Sequence, residues 1–167
     1  MAMKPTSIQC GDKQVAAIGN TALLNKTKIG LFCSRKCPAI KILEAYDKFK
    51  KWAADPEIII ISGFHSPVEK ECLKLLLAGK ANIIICPARE LDHMRILKEW
   101  QSALDDGRML IISPFKEKRA DKQTTFQRNQ LVAQLADELY MPYISQDSDL
   151  NRIIAQRPMV LGEDNII

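Results

Sequence analysis

Two short segments concentrate side chains that could grip an anion. The first, Cys33 to Pro38, carries Arg35 and Lys36 beside the Ser34 hydroxyl. The second, Ser113 to Thr125, sets Lys116, Lys118, Arg119 and Lys122 against Glu117 and Asp121, with Arg128 and Asn129 just beyond. A guanidinium holds phosphate through a planar fork of donors, and an ammonium holds it as a point charge. Ser62-Gly63, Ser66 and Thr124-Thr125 add the small polar groups that a phosphate cradle uses. Charged runs in loops are also what solvation alone favours, so their place in the fold must decide between the two readings. His65 suits a nucleotide or phosphate contact, against the plainer reading of a solvated loop histidine. Phe64 and Phe115 follow the ends of apolar runs, where a ring could stack on a nucleobase. Trp52 and Trp100 fall inside helical segments and belong to the core.

Other chemistries find less support. The chain has 7 glycines, no two adjacent, and lacks GxGxxG and the P-loop, so no glycine-rich phosphate loop is present. Cys33 and Cys37, four apart beside Arg35 and Lys36, could hold a low-pKa thiol, since a helix start and nearby cations favour thiolate. The five cysteines are odd in number and mostly sit in apolar surroundings, which suits reduced thiols. With His65 and His93 the only histidines, no metal-ligand spacing appears. The expectation is no metal, no cofactor and no complete catalytic set.

The elements that must position these groups alternate between short β-branched runs and longer segments of helical period, as in βαβ units around a parallel sheet. Five strands are expected: Lys28 to Cys33, Glu57 to Ser62, Asn82 to Cys86, Arg108 to Ile112 and Tyr140 to Ser145. The four successive isoleucines of the second put it in the interior, and Pro142 puts the fifth at an edge. Helices are expected from Ala39 to Ala54, lined by Ile42, Tyr46, Phe49 and Ala53; from Pro67, with Gly79 as a left-handed cap; around Leu97, Trp100 and Leu104; and around Leu131, Leu135 and Leu139. The fold class is α/β, a Rossmann-like doubly wound parallel sheet of five or more strands in the order 3-2-1-4-5. That order puts the topological reversal between the first and fourth strands, where ligands of such sheets bind, and so brings the two basic segments together. Arg35 and Arg128 should then converge on one anion site, each at the start of a helix.

The 167 residues and 18.9 kDa fit one domain, with a core of about 17–145 and uncertain ends; Ile153, Ile154, Met159, Val160 and Leu161 make the tail apolar without a period. Apolar residues are 47% and charged residues 26%, which excludes disorder, and no segment approaches a membrane span or a signal peptide. A cytoplasmic protein is expected. The 24 basic and 20 acidic residues leave a net charge of +4, which permits a phosphate-bearing partner without demanding one.

Three pieces, in order, carry a family resemblance. Gly19-Asn20, Leu23-Leu24 and the strand Ile29 to Phe32 running into Cys33-Ser34-Arg35 resemble the entry to the DprA/Smf family of DNA-processing proteins. Ile61-Ser62-Gly63-Phe64 resembles its Val-Ser-Gly-Leu-Ala turn, and Phe126-Gln127-Arg128-Asn129-Gln130-Leu131 resembles its Phe-x-x-Arg-Asn-Arg segment. Departures are Cys33 for the turn glycine, His65 to Val68 for an Arg-Gly-Ile-Asp stretch, Gln130 for the second arginine, and a C-terminal part with no more than a worn trace at Ser145 to Leu150. The resemblance implies a single-stranded DNA-binding protein with a basic pocket, whose longer relatives pass the strand to a RecA-type recombinase during DNA uptake. Arg35 and Arg128 would contact phosphates; Ser34, Ser62 and Gly63 would shape the wall; Asn129 would position the loop. Lys36, Phe64, His65 and Lys116 complete the expected DNA- or phosphate-binding set. The wider superfamily also includes LOG-like phosphoribohydrolases, but their Pro-Gly-Gly-x-Gly-Thr loop and catalytic Glu are missing. A mononucleotide ligand and a homodimer are left open.

Overall fold

The computed structural model describes residues 3–156, and Met159, Val160 and Leu161 lie outside them. Seven strands form one sheet: β1 (Thr6–Cys10), β2 (Lys13–Gly19), β3 (Ile29–Leu31), β4 (Ile59–Ser62), β5 (Asn82–Ile85), β6 (Met109–Ser113) and β7 (Glu138–Tyr140). Their order is β1-β2-β6-β5-β4-β3-β7. β6, β5, β4, β3 and β7 pair in parallel, and the β1–β2 hairpin joins antiparallel to β6.

The class is the expected one and the order is not. The five anticipated strands stand as 4-3-2-1-5 instead of 3-2-1-4-5, because β6 joins beyond β5 and the chain crosses back over β3 only once, to place β7. The reversal therefore lies between β3 and β7. β4 is interior and β7 is an edge, as the isoleucine run and Pro142 require, although β7 ends at Tyr140, before the proline.

Helices cover both faces. On one, α1 (Ala39–Ala53), α2 (Pro67–Ala78) and α3 (Gln101–Asp105), with Trp100 in the turn just before α3, bury Phe49, Trp52, Cys72, Leu76 and Ala103 against Leu31, Ile60, Ile83 and Ile111. On the other, α4 (Lys122–Leu135) and α5 (Leu150–Ala155) set Val132, Ala133 and Ile153 against Ile59, Ile61, Ile84 and Ile112. Alternate residues of each strand thus enter opposite layers, which is why these strands read as unbroken apolar runs.

Three local expectations change. On α1, Phe49 and Ala53 are buried but Ile42 and Tyr46 are 40% and 38% exposed, since Ala45 and Trp52 complete the inward face. Gly79 is not left-handed (φ −104°); its missing Cβ lets the backbone pass Ala53, whose carbonyl oxygen accepts from Lys80 N–H at 2.6 Å. Leu139 belongs to β7, and the helix ends four residues before it.

Candidate nucleic-acid interface

Beyond the C-terminal ends of β3 and β4 lies an open cleft of about 690 Å³, lined in part by Ser34, Arg35, Lys36, His65, Arg128 and Asn129. Arg35 and Arg128, far apart in sequence, therefore share one cavity, as expected. Three joints hold its walls. The β3 loop is tied to the segment after β7: Ser34 N–H donates to the Tyr143 carbonyl oxygen at 2.8 Å, and Ser145 N–H donates to Ser34 Oγ at 2.9 Å. It is tied to the β4 loop by Glu69, whose carboxylate accepts from Cys33 N–H at 2.9 Å and from His65 and Ser66 N–H at 2.9 and 3.2 Å. The third joint is Arg128.

Arg128 is only 5% exposed. Its Nε donates to Asn129 Oδ1 at 2.7 Å and its Nη1 to the Cys86 carbonyl oxygen at 3.1 Å. The guanidinium lies against Gly63, where a Cβ would collide with it, so glycine is required here by close approach. Burial pulls the Arg128 pKa down, and the negative Glu69 works against that pull. Asp137 meets Lys28, accepting from its backbone N–H at 2.8 Å.

His65 Nε2 lies 2.8 Å from Arg35 Nη2. Since a guanidinium only donates, the imidazole must accept, so this nitrogen is unprotonated. Burial, then the charges of Arg128 and Arg35, lower the His65 pKa, which favours the neutral ring. The cleft wall thus carries four cations, Arg35, Lys36, Lys122 and Arg128, against Glu69, Asp147 and Asp149. Glu69 is spent on the three N–H groups and Asp149 faces Arg152 at 3.5 Å, which leaves the basic side dominant toward a ligand.

A family model described as DNA recombination-mediator protein A matches residues 7–148. The chain belongs to that family. Members of similar fold include DNA processing protein A from Helicobacter pylori, which has a unique single-stranded DNA binding mode: TM-score 0.67, 19% identity, covering 87% of this chain and 74% of that one. Another is DNA processing protein A (DprA) from Streptococcus pneumoniae, with TM-score 0.70 and 17% identity, covering 92% of this chain but only 61% of the other. No curated protein matches the sequence.

Within this family member, several expected site residues do other work. Ser62 is fully buried, donating to the Leu31 carbonyl oxygen at 2.9 Å and accepting from Phe64 N–H, so it builds the turn without facing the cleft. Gly63 acts through Arg128. Phe64 is 5% exposed and enters the α1–α2 core, so it cannot stack on a base. It is the one non-glycine residue with positive φ, +49°, among the described residues, a turn that swings its ring inward. Lys116 stands exposed on the β6–α4 segment, outside the cleft lining. Arg128 lies nearly two turns into α4 and not at its start; Asp121 and Thr124 cap that helix's N-terminus reciprocally, and Lys122 and Thr125 near that end line the cleft. The reactive-thiol reading also falls: burial raises both Cys33 and Cys37.

Glu69, Lys122, Thr125, Phe126 and Ser145 also line the cleft. The Ser66-x-x-Glu69 pattern is a capping-box signature and marks Glu69 as a fixed residue at the start of α2. Nothing comparable in sequence ties Ser145 to Ser34 across 111 positions.

Proposed function

We propose that the protein binds single-stranded DNA through its phosphates at the cleft between the β3 and β7 loops. Arg128 carries the reading. Burying a cation is costly, and its two hydrogen-bond acceptors here are neutral amide oxygens while the nearby Glu69 carboxylate is bonded to three backbone N–H groups, so an incoming phosphate would add counter-charge directly at the guanidinium. Arg35, Lys36 and Lys122 would hold neighbouring oxygens, while Ser34 and Asn129 set the wall. The single-stranded DNA binding mode of the Helicobacter pylori relative and the family match support the same ligand.

A titration of labelled single-stranded and double-stranded oligonucleotides, followed by fluorescence polarisation at two salt concentrations, tests this. With the four cleft cations neutralising phosphate, log affinity should fall against log salt with a slope of about −3 or steeper, at least roughly 50-fold weaker at 200 than at 50 mM. Equal affinity for duplex, or no salt dependence, overturns it.

Base release from a nucleoside monophosphate is the competing activity. It needs an acid held against the reacting base, and Glu69, the buried acid of the cleft, is committed to three backbone donors while Asp147 stands exposed to solvent on the wall. The protein should leave AMP and CMP intact by chromatography. Delivery of the strand to a RecA-type recombinase in the cytoplasm is the further part of the proposal, tested by recombinase loading with and without the protein. Among the described residues, no helix is long and apolar enough to cross a membrane.

A further inference from the structure

A second, smaller recess of about 370 Å³ opens where β6 ends beside the start of β2, lined by Lys13, Gln14, Pro114, Phe115, Glu117 and Gln127. The chain links it directly to the cleft. Residues 114–117 reach the recess and Lys122 and Thr125 reach the cleft, with Lys116, Lys118 and Arg119 exposed on the segment that joins them. On α4, Gln127 faces the recess while its neighbours Phe126 and Arg128 face the cleft. The two sites therefore flank the N-terminal half of one helix, about 10 Å apart.

Phe115 is half-buried at the recess, yet it belongs to neither apolar cluster and to none of the ring pairs among the described residues. Its backbone is nevertheless fixed. Phe115 N–H donates to Ser113 Oγ at 3.1 Å, and that hydroxyl donates to the Arg89 carbonyl oxygen. The result is a ring on a fixed backbone with no place in either apolar cluster. Around it, the Gln127 amide can donate and accept, and the Glu117 carboxylate can accept from an exocyclic amine, as the edge of a nucleobase requires. With Lys13 and Glu117 both in the lining the recess carries no net charge, which suits a neutral base.

We infer that the recess is a second nucleotide subsite, in which a base stacks on Phe115 while Lys116, Lys118 and Arg119 carry the phosphates running to it from the cleft. The inference rests on the cleft being a single-stranded DNA site, and it makes the ligand a polymer, not a mononucleotide.

Phe115→Ala tests it against labelled oligo-dC of about three and about twelve nucleotides, cytosine supplying the exocyclic amine and the lengths chosen to fill the cleft alone or both sites. The longer strand should bind roughly 5- to 150-fold more weakly to the variant, and the shorter one as to the wild type. Phe115→Trp supplies a second reading, because Trp52 and Trp100 are buried and the new indole alone should be quenched by the longer strand. Unchanged affinity for the longer strand, equal loss on both strands, or no quenching overturns the subsite and leaves the cleft intact. Failure of the wild-type protein to bind either strand overturns the cleft reading instead.

Discussion

The segments Cys33 to Pro38 and Ser113 to Thr125 hold the same kinds of side chain and meet different fates. The first follows β3, which borders the reversal, and is bonded on one side to Tyr143 and Ser145 and on the other to Glu69. The second follows β6, three strands away from β7's neighbour β3 in the sheet, and most of its charges stay in solvent; only its far end, Lys122 and Thr125, reaches the cleft because α4 carries the chain back. The denser run of charge is thus the less organised one. Which cations become a site is set by where the crossover lands, since an anchored guanidinium gives up less freedom on binding than a solvated lysine.

The sharpest way to break that contrast is Arg128→Ala. Oligonucleotide affinity should fall roughly 5- to 150-fold, the cost of a charge-assisted contact, and Arg128→Lys should recover only part because a point charge lacks the fork. A melting curve taken alongside distinguishes this from a purely structural role, in which stability drops and affinity in the folded variant does not.

A smaller effect comes from His65. Burial and the Arg128 and Arg35 charges hold it neutral, with Glu69 opposing and Lys70 adding to the depression. A bound phosphate would favour the protonated ring, so the complex takes up a proton and affinity should rise as pH falls below the usual histidine range near 6.5. His65→Gln should flatten the profile measured by polarisation. The smallest effect is expected at Asp147, an exposed carboxylate on the cleft wall. Asp147→Asn should tighten binding about two- to fivefold at low salt and not at high salt, as screening requires.

Much of the architecture was legible because apolar periodicity and turn residues report local structure. α1 ends within one residue of the expected stop, and the isoleucines of β4 announce an interior strand. Strand order was not, because β6 could pair beside β3 or beyond β5 without changing a single apolar position. The β1–β2 hairpin escaped notice for a different reason: β1 is mostly exposed, so no apolar run marks it, although Gly11-Asp12 is a two-residue turn with Gly11 at φ +64°. In the cleft, residue type and fold class bring Arg35 and Arg128 together, whereas the burial of Phe64 is hidden because a positive φ in a phenylalanine has no sequence signal. Ser145 was visible only as part of a worn motif, since its contact with Ser34 exists only after β7 is placed.

The most direct test sets one residue of each basic segment against the other: Arg35→Ala and Lys118→Ala, titrated with the same labelled single strand at low salt. Arg35→Ala should cost roughly 5- to 150-fold, and Lys118→Ala no more than about fivefold, with a salt slope shallower by about 0.7. A loss at Lys118 equal to or greater than that at Arg35 would contradict the account, placing the DNA site on the charged run and not at the reversal of the sheet.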